Sequence, residues 1–170
     1  SSSSAASDVY KRQELGLGDV YYADAAASVS DADGVILCTP VGSFAGLAEA
    51  IAPHLRPGCI LSDVGSTKQS AIRDVLPFVP AGVAFVPAHP MAGTEFSGPD
   101  AGLANLFEGR WCLLTPIEGM DEAAAQKIEA FWRVLGARTA RMGAAHHDRV
   151  LAIVSHLPHL LAFTICGTAD

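Results

Sequence analysis

His89 is the residue of this chain best suited to acid–base chemistry. It comes shortly after an apolar run, Val83–Val86, in a segment that continues through Pro90 to Glu95. An imidazole can accept or share a proton near neutral pH, and Pro90 restricts the backbone beside it. The residue types and their order therefore predict that His89 accepts a proton at the end of a buried strand.

A second polar segment follows another apolar run and contains Asp63, Gly65, Ser66, Thr67 and Lys68. A glycine lets the backbone approach a ligand closely, and Ser66 or Thr67 can cap the helix that follows. The free N–H groups at a helix N-terminus attract anions. This combination of residues predicts an anion or cofactor site at a junction between a strand and a helix.

The third polar segment is Thr39-Pro40-Val41-Gly42-Ser43, which stops a strongly apolar run. Proline and glycine here can simply form a turn. The functional interpretation is that this backbone passes under a nucleotide and that Ser43 caps the next helix.

Four histidines lie between positions 146 and 159, and they raise the alternative of a metal site. His156 and His159 are three residues apart, but no carboxylate or cysteine completes a ligand set at helical spacing, so we predict no metal. His147 falls at a helical step with Leu151, which is typical of packing. A kink at Pro158 that presents His156 to a cleft is the favoured functional interpretation.

Short apolar runs alternate with helical patterns along the whole chain. This alternation is typical of βαβ units and predicts an α/β fold with a mostly parallel sheet covered on both faces. Such sheets bind ligands at the carboxyl ends of their strands, where the three polar segments lie. The predicted strands are Val20–Tyr22, Gly34–Cys38, a run from Cys59, Val83–Val86, Trp111–Leu114 and Arg138–Met142, and the predicted helices are Phe44–Ile51, Thr67–Leu76, Glu122–Leu135 and a long one from Ala144.

The composition excludes several classes of protein. Half of the 170 residues are hydrophobic, the formal net charge is −7, and no basic cluster is longer than Lys11-Arg12, which argues against a nucleic-acid partner. The apolar runs are too short for a membrane helix. The four cysteines are scattered, which favours free thiols and a cytoplasmic location.

Taken together, three motifs make the chain resemble the prephenate/arogenate dehydrogenase family from about Glu14 to Asp170. They are D-V-G-S-T-K at 63–68, H-P-M-A-G-T-E-x-S-G at 89–98, and H-D-x-x-x-x-x-x-S-H-L-P-H at 147–159. The resemblance implies a Rossmann-like domain that binds NAD or NADP, followed by an all-helical domain that forms a homodimer. It also implies oxidative decarboxylation of prephenate to 4-hydroxyphenylpyruvate, or of arogenate to tyrosine.

The resemblance assigns roles to particular residues. His89 and Ser66 would be catalytic, with Ser66 bridging His89 and the nicotinamide end of the cofactor. The residues implied for the cofactor are Thr39, Pro40, Val41, Asp63, Gly65 and Ser66, and those implied for the substrate are Gly93, Thr94, Glu95 and His156.

The chain departs from the family pattern at both ends. No G-x-G-x-x-G segment occurs, so we expect the sheet to lack its first βαβ unit and the chain to be an inactive fragment. The expected organisation is a leader at 1–13 that is non-native or disordered, a partial nucleotide-binding domain at 14–142, and the start of the helical domain at 143–170. The alternatives are another Rossmann-type dehydrogenase of a small hydroxy acid, or a catalytically dead module that binds a regulator.

Overall fold

A three-stranded parallel sheet forms the first half of the molecule. The computed structural model describes residues 10–93, 98–156 and 164, without the side chains of Ser155 and His156. The sheet order is β1 (Gly34–Leu37), β2 (Ile60–Asp63) and β3 (Ala84–Val86), with Gly34 opposite Ile60 and Ile60 opposite Ala84. All four residues of β2 are buried, as expected for a central parallel strand.

Helices cover this sheet and close its core. Helix α1 includes residues 10–14, α2 spans Ala25–Val29, α3 spans Phe44–Ile51 and α4 spans Lys68–Val75. Apolar positions recur on one face of α3, where Phe44, Ala48 and Ile51 are buried. They pack with strand residues and α4 in one core, whose largest members include Leu37, Phe44, Ile51, Leu61, Val75 and Phe85.

The second half of the described chain builds a smaller mixed sheet. After Pro87 the chain continues as β4 (Ala88–Pro90), which pairs antiparallel with β5 (Trp111–Leu114), and β5 pairs parallel with β6 (Arg138–Arg141). Helix α5 (Glu122–Val134) covers this sheet through its buried face, which includes Ala125, Ile128 and Trp132. An N-cap aspartate, Asp121, accepts hydrogen bonds from the amides of Ala123 and Ala124.

The chain then forms α6 (Ala144–Leu151), which continues as a π-helical segment, Ala152–His156. The long helix predicted from Ala144 therefore begins as an α-helix and continues as a π-helix after Leu151. Helix α6 packs against α4, so the end of the described chain returns to the first sheet. No helix within the described ranges is long and apolar enough to cross a membrane.

Two predictions of secondary structure are wrong. Val20–Tyr22 does not form a strand, and Val20 and Tyr22 are exposed, because no strand of the described residues pairs with them to bury their apolar side chains. The sequence predicts His89 at the end of a parallel strand, but it lies inside β4. The reason is that β5 supplies an antiparallel partner, with His89 opposite Leu113. The α/β class and the mostly parallel first sheet are confirmed.

Candidate active site

The polar residues after β1 lie exposed at the carboxyl end of that strand. Thr39 and Pro40 are exposed, and Val41 begins a short 3-10 turn that leads into α3. The Ser43 hydroxyl lies 2.9 Å from Thr39 Oγ1 and 2.8 Å from the Pro40 carbonyl oxygen. Ser43 occupies the N-cap position of α3 but its side chain makes no capping hydrogen bond, so the prediction that its side chain caps this helix is wrong. The hydroxyl binds the preceding turn instead.

Asp63 and Lys68 form a buried ion pair at the junction of β2 and α4. Neither side chain has any exposed surface. Asp63 accepts hydrogen bonds from the amides of Gly65 (2.8 Å) and Ala88 (3.3 Å), and the Lys68 ammonium also donates to the Ala88 carbonyl (2.6 Å). Burial raises the pKa of Asp63 and lowers the pKa of Lys68, and in each case the partner's charge opposes the shift. The pair ties the β2–α4 junction to β4, next to His89.

Gly65 brings two of the predicted site segments into contact. A Cβ atom at Gly65 would lie 2.9 Å from Asp63 Oδ2, 2.9 Å from Val41 Cγ2 and 3.1 Å from Phe44 Cε2. No side chain fits in that space. The loop after β2 therefore packs directly on the loop after β1, and both loops belong to one edge of the sheet.

A carboxylate from α6 caps helix α4. The amides of Lys68 and Gln69 donate to Asp148 Oδ1 (2.7 Å) and Oδ2 (2.9 Å), across 80 and 79 residues of sequence. Burial raises the pKa of Asp148, but the hydrogen bonds from these amides and from the side chains of His147 and Gln69 together lower it below its ordinary value. The prediction that Ser66 or Thr67 caps this helix is wrong. Thr67 holds the N-cap position without a side-chain hydrogen bond, and Ser66 is exposed before it.

His89 is hydrogen-bonded to a second histidine, His147, which in turn contacts the same aspartate. Its Nδ1 atom lies 2.9 Å from Nε2 of His147, and Nδ1 of His147 lies 2.8 Å from Asp148 Oδ1. The two rings meet edge to face, with centroids 5.1 Å apart. His147 is fully buried and His89 nearly so. The sequence pattern predicts only packing for His147 and no role for Asp148, although their adjacency in the third motif was the available signal.

The residues predicted to bind the substrate are only partly described by the structure. Gly93 is described and exposed, three residues after β4. Thr94 and Glu95 lie outside the described residues. The backbone of His156 ends the π-helical segment, and its side chain lies outside the description. The structure thus brings Val41, Asp63 and Gly65 together and places Asp63 against Ala88, the residue before His89.

An apolar cleft of about 350 Å³ opens beside this edge. Its walls include Ile36, Cys38 and Val64 from the first sheet and Pro90, Phe107 and Trp132 from the second half. The volume and lining are in the range of small-molecule sites. In the part of the chain that the structure describes, no group of three or more His, Cys, Asp or Glu residues is arranged to hold a metal.

The loops at this edge suit part of a nicotinamide dinucleotide. Thr39 and Ser66 offer exposed uncharged hydroxyl groups at the carboxyl ends of adjacent parallel strands. A Cβ atom at Gly42 would meet nothing within 4 Å, so the space over the first loop is open. Parallel α/β sheets bind such ligands at this edge.

Two family models match consecutive parts of the chain. The model described as prephenate dehydrogenase, nucleotide-binding domain, matches residues 2–141, and the one described as prephenate dehydrogenase, dimerization domain, matches residues 143–170. Among curated proteins, a cyclohexadienyl dehydrogenase of Zymomonas mobilis is 41% identical over 92% of this chain. The alignment covers 53% of that relative, so the chain spans about half of its length.

The chain is also similar to solved structures of prephenate and arogenate dehydrogenases. Prephenate dehydrogenase from A. aeolicus, in complex with hydroxyphenyl propionate and NAD+, superposes with a TM-score of 0.87 at 32% identity. The superposition covers 94% of this chain and 56% of that one. Synechocystis arogenate dehydrogenase superposes with a TM-score of 0.83 at 29% identity, covering 95% and 57% of the two chains. The chain therefore belongs to the prephenate dehydrogenase family.

Proposed function

We propose that the protein carrying this chain catalyses the NAD(P)-dependent oxidative decarboxylation of prephenate or arogenate. The observation that carries the proposal is His89, buried at the ligand-binding edge of the sheet and hydrogen-bonded to His147. The relatives with names for both reactions support the substrate class. They do not favour the alternative of another small hydroxy acid.

His89 acts as the proton acceptor in this proposal. The bound cofactor supplies a hydride acceptor for the ring carbon that carries the hydroxyl group. As that carbon becomes a carbonyl carbon, the hydroxyl proton moves to the imidazole of His89. Loss of the ring carboxylate as CO2 leaves its electron pair to aromatise the ring. The carbonyl oxygen becomes a phenol oxygen and recovers a proton from His89. A positioned general base of this kind contributes about 10²–10⁴-fold.

The other predicted residues complete the proposed site. Ser66 bridges His89 and the nicotinamide end of the cofactor, and the exposed backbone of 39–41 lies along the cofactor. Asp63 and Gly65 shape the cofactor loop from inside, because Asp63 binds the Gly65 amide and pairs with Lys68. The residues proposed for the substrate pocket are Gly93, Thr94, Glu95 and His156.

The proposal extends to the whole protein. The dimerization-domain match at 143–170 supports a homodimer, and we place the enzyme in the cytoplasm. The substrate is a small anion, and neither a nucleic acid nor a membrane is a proposed partner.

An assay with both substrates and both cofactors tests the proposal. It follows the absorbance of the reduced nicotinamide, using this chain and a version extended to the length of its relatives. We expect turnover of at least one substrate by the extended version. If the extended version turned over a 3-hydroxy acid and neither prephenate nor arogenate, the proposal would be wrong and the protein would be a dehydrogenase of a small hydroxy acid.

A further inference from the structure

In the hydrogen-bond chain His89–His147–Asp148, the donor of each hydrogen bond can be assigned, because the Asp148 carboxylate at one end can only accept a hydrogen bond. An ionised carboxylate carries no hydrogen, and Asp148 Oδ1 lies 2.8 Å from Nδ1 of His147. Nδ1 of His147 therefore carries the hydrogen. The lowered pKa of Asp148 agrees with an ionised carboxylate at neutral pH.

The tautomer of His147 then sets the tautomer of His89. A neutral imidazole with hydrogen on Nδ1 has its acceptor lone pair on Nε2. Nε2 of His147 lies 2.9 Å from Nδ1 of His89, so Nδ1 of His89 donates that hydrogen bond. The acceptor lone pair of His89 is consequently on Nε2, the ring atom that does not face His147.

We propose that His147 and Asp148 are positioning residues that hold His89 in the tautomer that accepts a proton at Nε2. This inference rests on the proposed function, because it explains how His89 is kept ready for the substrate hydroxyl. When His89 becomes doubly protonated, its Nδ1–H still donates to His147, and the negative charge of Asp148 lies behind that ring. An aspartate that orients a catalytic histidine in this way can be worth several orders of magnitude in rate.

The arrangement also makes the site depend on α6. Asp148 accepts from the Lys68 amide and from His147 through the same oxygen, Oδ1, and its Oδ2 accepts from the Gln69 amide. The charge of Lys68 acts on this network through Asp148, and Lys68 is itself paired with Asp63. The tautomer of His89 is therefore set by residues from the matched dimerization domain, although His89 itself lies in the nucleotide-binding domain.

The direct test is the tautomeric state of the histidines in the 170-residue chain. Long-range nitrogen–proton NMR spectra of histidine-labelled protein distinguish Nδ1–H from Nε2–H rings. We expect His89 and His147 both to carry hydrogen on Nδ1, with signals assigned from the His89→Asn and His147→Gln variants. An Nε2–H tautomer for His89 at neutral pH would overturn the inference.

Three variants test the consequence for catalysis in the extended version. His147→Leu removes the acceptor, and we expect kcat to fall by at least about tenfold with KM changed by less than about threefold. His147→Gln places an amide oxygen near the position of Nε2 and should recover part of the loss. His146→Gln, at the exposed neighbouring position of α6, is the matched control and should keep wild-type kcat.

The outcomes separate this inference from the proposed function. Equal losses in His147→Leu and His147→Gln, with the wild-type tautomer retained in both, would mean that His147 only packs, and would overturn it. If no version turns over either substrate while the NMR spectra show the expected tautomers, the proposed function fails and the directed hydrogen-bond chain stands.

Discussion

At the level of single residues, the proposed reaction depends on His89 as the proton acceptor. We expect His89→Asn in the extended version to lower kcat by about 10²–10⁴-fold, because asparagine cannot accept the proton. Cofactor affinity should change little, since the residues proposed to hold the cofactor lie at the end of β2 and in the loops after β1 and β2. Steady-state kinetics and a cofactor titration measure the two effects. Wild-type kcat in this variant would remove His89 from the mechanism.

Lys68 shows how strongly one buried charge depends on its partner. Lys68→Met leaves the Asp63 carboxylate buried with its cation removed, and we expect a loss of about 3–5 kcal/mol in the free energy of unfolding. The double variant Asp63→Asn/Lys68→Met should regain part of that loss, because no uncompensated charge remains. Urea unfolding of both variants measures the difference. A loss below about 1 kcal/mol in the single variant would contradict a paired, buried ammonium.

At the scale of elements, the contact between α4 and α6 should make stability depend on pH. The pKa of Asp148 is lowered in the folded chain, so its contribution is fully present above the unfolded value of about 3.9 and is lost as the pH falls through the folded value. Asp148→Asn should therefore be less stable by about 1 kcal/mol at neutral pH, since one amide oxygen replaces two acceptors. The difference should shrink below about pH 4.

Urea unfolding at neutral and acid pH measures this effect. Asp121→Asn is the matched control, because Asp121 caps α5 through amides of its own helix. Asparagine caps such a local site about as well as aspartate. A deficit in Asp148→Asn that is the same at both pH values would show that the carboxylate charge is not the cause.

The junction between the first two loops depends on the absence of a side chain at position 65. Gly65→Ala would place its Cβ atom 2.9 Å from Asp63 Oδ2 and Val41 Cγ2, and we expect a loss of about 1–3 kcal/mol in stability. Gly46→Ala in α3 is the control, because its Cβ atom meets nothing within 4 Å and alanine favours a helix by about 1 kcal/mol. Thermal unfolding should show opposite shifts. An unchanged Gly65→Ala variant would mean that the two loops do not pack as described.

At the scale of the whole molecule, burial should order the reactivity of the thiols. Cys59 and Cys112 are buried in the two cores, whereas Cys38 is exposed at the end of β1. Burial raises the pKa of Cys112 to about 12. It also raises the pKa of Cys38, with the charge of Asp63 adding to the effect. We expect a disulfide reagent to modify Cys38 before Cys59 and Cys112, which react only as the cores open.

Two measurements check this order. Cys38→Ser should remove the fast phase that belongs to this position, and mass spectrometry of peptides identifies the modified sites. Denatured, non-reduced protein should titrate all four cysteines of the sequence. A denatured count of two would reveal a disulfide and contradict the prediction from spacing.

Residue periodicity and motifs were sufficient to predict the class of fold and the family. Alternating apolar runs predicted the parallel strands β1 to β3 and the helices α3 to α5, because the periodicities of strands and helices differ locally. The motif around His89 predicted a catalytic role for that residue from its residue types, and this role stays a prediction.

The way His89 is held and the cap of α4 both depend on contacts between residues that are distant in sequence. The cap is a carboxylate 80 residues away, so no local pattern could reveal it, and the same oxygen orients His147. Likewise β4 forms a strand because it pairs with β5, whereas no strand in the described ranges pairs with Val20–Tyr22, which forms none. Hydrogen-bond partners that are distant in sequence meet only in the folded chain, and they override what a local segment prefers.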